Sequence, residues 1–137
     1  MKSTNFSENK LFYLSLFSLI IFASFLRIYN INFDDLWTDE IFSFWVSDPS
    51  ISFNETLIRA FSSGLNFFFD LCLKFFHSLF GYDVHVSRYF SLIISIVSLN
   101  LFSLFLIKIT NKKSVILGFF ILTINLYHIK YSQELRS

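Results

Sequence analysis

Cysteine, proline, glycine and charge are all scarce in this chain. Its one cysteine, Cys72, excludes an internal disulfide and says little about redox compartment. With one proline and three glycines, the apolar runs lack the proline breaks and mid-membrane charges of a transporter's midplane site. Charged residues make up 15%, against about 25% in a soluble domain, and the net charge of +1 points to no nucleic-acid partner. What fills the space is apolar: 54% hydrophobic residues, 21% aromatic, with 21 Phe among 137 positions. A soluble fold of this size has too little interior to hide that much Phe, Ile and Leu, so the class is all-α integral membrane.

Residues 11–29 form the first apolar run, about 28 Å as a helix at ~1.5 Å per residue and long enough to span. Arg27 near its far end is expected to snorkel to the headgroups. No small-x-small cleavage site follows, which favours an uncleaved anchor over a signal peptide. Residues 30–88 are expected to be a long outer loop. Thr38 is a candidate cap for a short helix with Asp39 and Glu40 in its first turn, where the helix dipole favours negative charge. Trp37 and Trp45 suit headgroup level. Asp48-Pro49-Ser50 ends that helix, and Ser52 with Glu55 has capping-box spacing for a second one reaching about Ser63. In residues 65–80, Asn66, Asp70, Lys74 and His77 recur at steps of four, four and three, one stripe of a helix. Three ionisable groups at mid-membrane are costly. The stripe therefore predicts an interfacial helix with its polar side to water, an Asp70–Lys74 pair, and His77 and His85 facing headgroups.

Residues 89–107 and 114–129 supply two further spans. Lys2, Lys10 and the Lys108/Lys112/Lys113 turn belong on the cytoplasmic side by the positive-inside rule. An even number of spans must separate them, which again leaves residues 65–80 out of the bilayer. The expectation is three transmembrane helices plus interfacial juxtamembrane helices, with Asp39, Glu40 and Glu134 on the outer face.

The order of motifs carries a resemblance. FLRIYNINFDDLWTDEIFSFW follows the first span, then LFGYDVHVSRYFSLIISIVSL, then NLYHIKYSQELRS. An LR-x-Y span end, an LW-x-DE loop start, an LFG helix end, an Arg opening the second span and a YSQE-x-RS stretch together resemble the N-terminal part of the GT-C fold. The likeness is to dolichyl-phosphate-mannose protein mannosyltransferase-like and RgtA/B/C/D-like enzymes. It runs over most of the chain and implies a bacterial inner- or plasma-membrane glycosyltransferase using a polyprenyl-phosphate sugar donor. Relatives continue past YSQELRS, so the resemblance reads these residues as an N-terminal fragment, inactive alone. There are departures. A Pro-Pro-Leu-Tyr-Tyr-like start to the 65–80 helix is replaced by Gly64-Leu65-Asn66-Phe67-Phe68. Asn-Pro is replaced by Asn125-Leu126, which removes a helix-ending signal.

Glycosyl transfer from a lipid phosphate needs a base for the acceptor hydroxyl, donors for the departing phosphate, and a site at headgroup level. Among Asp34, Asp35, Asp39 and Glu40, the resemblance assigns the base to Asp39, with Glu40 orienting it or contacting substrate. Arg88, Arg136 and Lys130 are candidate phosphate partners, and Glu134 is a candidate substrate-binding residue. The plain alternative for Asp39 and Glu40 is helix capping in a solvated loop. No metal-ligand spacing such as an EF-hand loop is present, so no divalent cation or other cofactor is expected. His128 and the serines and Asn100 of the second span are expected to be structural. The competing function is a non-catalytic three-span protein or orphan fragment packing against other membrane proteins.

Overall fold

The computed structural model describes residues 3–63 and 67–135. These residues are helical throughout, with no strand among them: α1 (Ser3–Ile28), α2 (Thr38–Val46), α3 (Phe53–Ser63), α4 (Phe67–Phe80), α5 (Val84–Ile109), α6 (Lys112–Thr123) and α7 (Leu126–Gln133). Two stretches are long and apolar enough to cross a membrane, Glu8–Ile28 of α1 and Val84–Ile109, and a third exists if α6 and α7 count as one broken span. The expected 89–107 span begins five residues earlier because Asp83 caps it, its Oδ1 accepting from the amides of His85 (2.8 Å) and Val86 (3.3 Å). Gly81, at φ +104°, makes the left-handed turn between α4 and α5.

The expected 114–129 span is not one helix. The chain bends by 55° between α6 and α7, without the Asn-Pro signal. Asn125 supplies the break by itself, its Oδ1 capping the amide of His128 at 3.0 Å.

At one end the core is a seam of α1, α5 and α6, built on Phe12, Leu16, Ala23, Leu99, Val115 and Phe119. Gly118 lets α6 approach closely, since a Cβ there would lie 3.3 Å from Leu106 Cδ1. At the other end the interior is polar. Arg27, Glu40, Asp70, His77 and Arg88 are buried there, while along both ends Phe17, Phe25, Phe68, Phe75, Leu101 and Phe105 are exposed. An exterior of this kind suits lipid, where helix association comes from close packing and hydrogen bonds rather than from burying apolar surface. The buried stripe of α5 fits that, with Ser87, Ser91, Ser95, Leu99 and Ser103 at steps of four.

Several sequence expectations are corrected here. Arg27 does not snorkel. It is fully buried, and its guanidinium donates to the carbonyls of Ala23 (2.9 Å), Leu122 (3.3 Å) and Thr123 (3.4 Å), to Ser95 Oγ (3.3 Å) and to His128 Nδ1 (3.0 Å). The α4 stripe does not face water: Asp70 and His77 are buried, and the Phe/Leu face is the exposed one. Lys74 does not pair with Asp70. Its ammonium donates to the carbonyls of Asp48 (2.6 Å) and Ile51 (2.8 Å) in the α2–α3 turn. Asn66, the first member of the stripe, lies outside the described residues.

Candidate functional site

The acidic segment lies where the ends of α1, α2, α5 and α7 converge. α1 stops at Ile28, and Asn30 turns the chain with a left-handed φ of 60°. Gln133 Nε2 donates to the carbonyls of Arg27 (3.2 Å) and Tyr29 (2.6 Å), tying the end of α7 to the end of α1. The cap of α2 is Trp37 rather than Thr38, which is already the first helical residue. Trp37 has no side-chain oxygen with which to cap, so Glu40, three residues on, returns its carboxylate to the Trp37 amide at 2.9 Å.

Glu40 is the hub of the convergence. It is wholly buried. Oε1 accepts from Arg88 Nε (3.3 Å) and the Leu135 amide (2.6 Å), and Oε2 accepts from Arg88 Nη2 (3.1 Å) and the Trp37 amide. One carboxylate thus joins the head of α2, the head of α5 and the residues after α7. Arg88 completes the knot. Beyond Glu40 it donates to the carbonyls of Ile31 (3.2 Å), Asp34 (2.7 Å) and Asp35 (3.2 Å). A guanidinium has five N–H groups, and all five are occupied here, leaving none for a phosphate oxygen.

Asp39 has the opposite setting. It is exposed on the first turn of α2, beside an open depression of about 410 Å³ lined by Asp34, Asp35, Leu36, Trp37 and Thr38. Asp34 and Asp35 are exposed too. On the α7 side a narrow cleft of about 20 Å³ runs between Asp34, Trp37, Arg88, Lys130 and Glu134. Lys130 is 60% exposed, with its ammonium 3.7 Å from Glu134 and 5.4 Å from the Trp37 ring. The structure therefore gathers Glu40, Arg88, Lys130 and Glu134 around the acidic loop, with Asp39 on its open side. Of the candidate phosphate partners, Lys130 keeps an accessible cation. Arg136 lies outside the described residues. No cluster of three metal-ligating side chains occurs among the described residues.

A second polar assembly joins α2, α4 and α5. His77 is buried rather than facing headgroups. Its Nδ1 lies 3.2 Å from the Ser47 carbonyl, which can only accept, so that nitrogen carries the proton. Its Nε2 meets Ser87 Oγ at 2.7 Å. Burial holds its pKa below the ordinary histidine value, which keeps the ring neutral. Tyr82 stacks on Phe44 with centroids 4.1 Å apart and donates to the Phe44 carbonyl at 2.9 Å. His85, by contrast, is exposed. Asp70 is the anomaly. It is wholly buried and neither carboxylate oxygen makes a hydrogen bond of ordinary geometry. Desolvation pushes its pKa up to about 6, opposed only by the nearby Ser43 hydroxyl.

Sequence reasoning missed one feature entirely. A groove of about 540 Å³ opens between α4, α5 and α7, its polar lining including Ser91, Ser95, Ser98, His128 and Ser132. The signal was present in Ser91, Ser95 and Ser98 of the 89–107 run, at steps of four and three along one face of a helix.

No family model, curated protein or solved structure matches this chain.

Proposed function

We propose that this chain contributes the acceptor-side acid/base of a membrane glycosyltransferase that draws a sugar from a polyprenyl-phosphate donor on the non-cytoplasmic face. The reading rests on the motif order in the sequence. The structural observation that carries it is the contrast between neighbours: Glu40 is sealed and Asp39 is open, in the first turn of α2 next to the residues that line a depression. In the proposed reaction Asp39 takes the proton of the acceptor hydroxyl as its oxygen attacks the sugar's anomeric carbon, and the lipid phosphate leaves. Glu40 and Arg88 act as positioning residues that fix the turn from which Asp39 projects. Lys130, whose ammonium is accessible, is the candidate partner for the leaving phosphate. The likeness makes the transfer inverting.

The test is Asp39→Asn in the intact enzyme to which these residues contribute, in membranes, with radiolabelled polyprenyl-phosphate sugar as donor. Transfer is expected to fall by about 10²-fold or more, as loss of a general base does, with insertion and thermal midpoint unchanged. Retained turnover removes Asp39 from the mechanism. The assigned sidedness is checked separately by cysteine labelling at Ser78 and Ser114, both exposed, which should report opposite faces.

A second reading, a non-catalytic protein that packs against other spans, is favoured by one observation: every N–H of Arg88 is held inside the fold. It predicts that Lys130→Gln and Asp39→Asn leave all lipid-phosphosugar turnover intact while contacts with neighbouring spans persist.

A further inference from the structure

The Lys108/Lys112/Lys113 turn does more in three dimensions than mark a side of the membrane. Between α1 and this turn lies a groove of about 670 Å³. Its inner wall is apolar, formed by Phe12, Ile107 and Val115, and its mouth carries Thr110, Lys112 and Lys113. Phe12 and Val115 belong to the apolar core, so the wall is continuous with the packed seam of α1, α5 and α6. Lys112 is fastened at the mouth. Its ammonium donates to Asn9 Oδ1 and lies 6.0 Å from the Phe12 ring, which leaves further N–H groups free to turn outward. Asn111 Oδ1 caps the Ser114 amide, so α6 opens into the groove with Lys112 and Lys113 as its first two residues, where helix amides lack intrahelical acceptors. Lys10 and Lys108 are exposed nearby in sequence. None of these four ammonium groups has a carboxylate partner among the described residues.

We infer that this groove is a binding site for an anionic phospholipid, whose phosphate meets Lys112 and Lys113 at the mouth while an acyl chain lies along Phe12, Ile107 and Val115. The combination of charge and apolar wall selects the occupant. A free phosphate ion gains nothing from the wall, and a zwitterionic lipid brings no net charge to the lysines. Each lysine near an anionic headgroup contributes on the order of 1 kcal/mol, about fivefold in affinity. Two of them, partly screened by salt, give a preference of about tenfold.

The full chain in nanodiscs of mixed phosphatidylglycerol and phosphatidylcholine provides the test, with retained lipid counted by native mass spectrometry. Phosphatidylglycerol should be retained over phosphatidylcholine by about tenfold. Lys112→Gln/Lys113→Gln should bring the two lipids to parity, and Lys113→Gln alone, whose side chain makes no hydrogen bond or ion pair among the described residues, should lower the preference severalfold without altering helicity. Thr110→Trp keeps every lysine but fills the mouth, and should abolish the preference too. The inference is overturned by equal retention of both lipids, or by full preference in Thr110→Trp, which would mean that surface charge alone attracts the lipid. It is also overturned if inorganic phosphate displaces phosphatidylglycerol at modest concentration, since the site would then read a free ion.

Discussion

Asp39 and Glu40 are adjacent in sequence and opposite in setting, and helix geometry explains why. Consecutive helical residues point about 100° apart, so when Glu40 turns inward to Arg88, Asp39 is carried outward. The sequence made the DE pair visible but not which member was buried. That choice is made by Arg88, 48 residues away, and by the Leu135 amide, 95 residues away. Local pattern holds no record of either partner. The pair is testable by itself. Removing one partner of a buried ion pair strands the other and costs about 3–5 kcal/mol, whereas replacing both with apolar residues often costs far less. Glu40→Met and Arg88→Met should each lower the thermal midpoint sharply in detergent. The double variant should recover part of the loss, giving a positive coupling in a double-mutant cycle. Additive losses would mean that the two side chains do not act as a pair.

At the scale of the elements, α4 shows both what pattern reveals and what it leaves open. Periodicity located the helix and its polar stripe from sequence alone. It did not say which side the stripe faces, because the usual rule of polar outward presumes water outside. Here the outside is apolar and the stripe packs against α2 and α5. Asp70 is the consequence. Its own helix offers Lys74, which is turned to the Asp48 and Ile51 carbonyls, and His77, which is bonded to Ser47 and Ser87. On α2 and α5, Glu40 and Arg88 are bonded to each other. No charged group is near enough to offset desolvation of Asp70. The sign follows from linkage. Docked, the carboxyl holds its proton up to about pH 6, and undocked in water it ionises near 3.9. The docked state therefore binds more protons between those values. Docking of α4 is strongest below about pH 4, weakens toward pH 6, and above that carries a constant penalty of about 3 kcal/mol. Asp70→Asn should remove that slope from the thermal midpoint measured against pH, so the variant gains on the parent as pH rises. His77, whose lowered pKa favours high pH, acts in the opposite sense and is common to both proteins, so it cancels in the difference. A difference profile that stays flat across pH 4–6 would show that Asp70 does not titrate on docking.

On the scale of the whole molecule, the polar interior solves a problem that the bend between α6 and α7 creates. A 55° bend between α6 and α7 takes carbonyls at the end of α6 out of regular helical bonding, and buried from water each needs a donor within the protein. Arg27 supplies it. From α1 it reaches the Leu122 and Thr123 carbonyls and His128 beyond the break. The charge that hydropathy placed at a headgroup is instead the plug of a bend that hydropathy could not see. The two surprises have one cause, since a continuous 114–129 helix would offer Arg27 no free carbonyls and leave it to seek the interface. Substitution separates the two roles. A snorkelling cation is served as well by lysine as by arginine, so Arg27→Lys would then be silent. A plug needs the planar fork, because an ammonium has three N–H groups on one atom, too few for the five acceptors that Arg27 meets. Arg27→Lys is therefore expected to lose roughly 2 kcal/mol, and Arg27→Met more, since each buried acceptor left unpaired costs about 1–3 kcal/mol. The loss should be concentrated at the break, as faster hydrogen exchange at 122–129 than in α5. Arginine and lysine giving equal stability and equal protection there would return Arg27 to the headgroups and leave the bend to Asn125 alone.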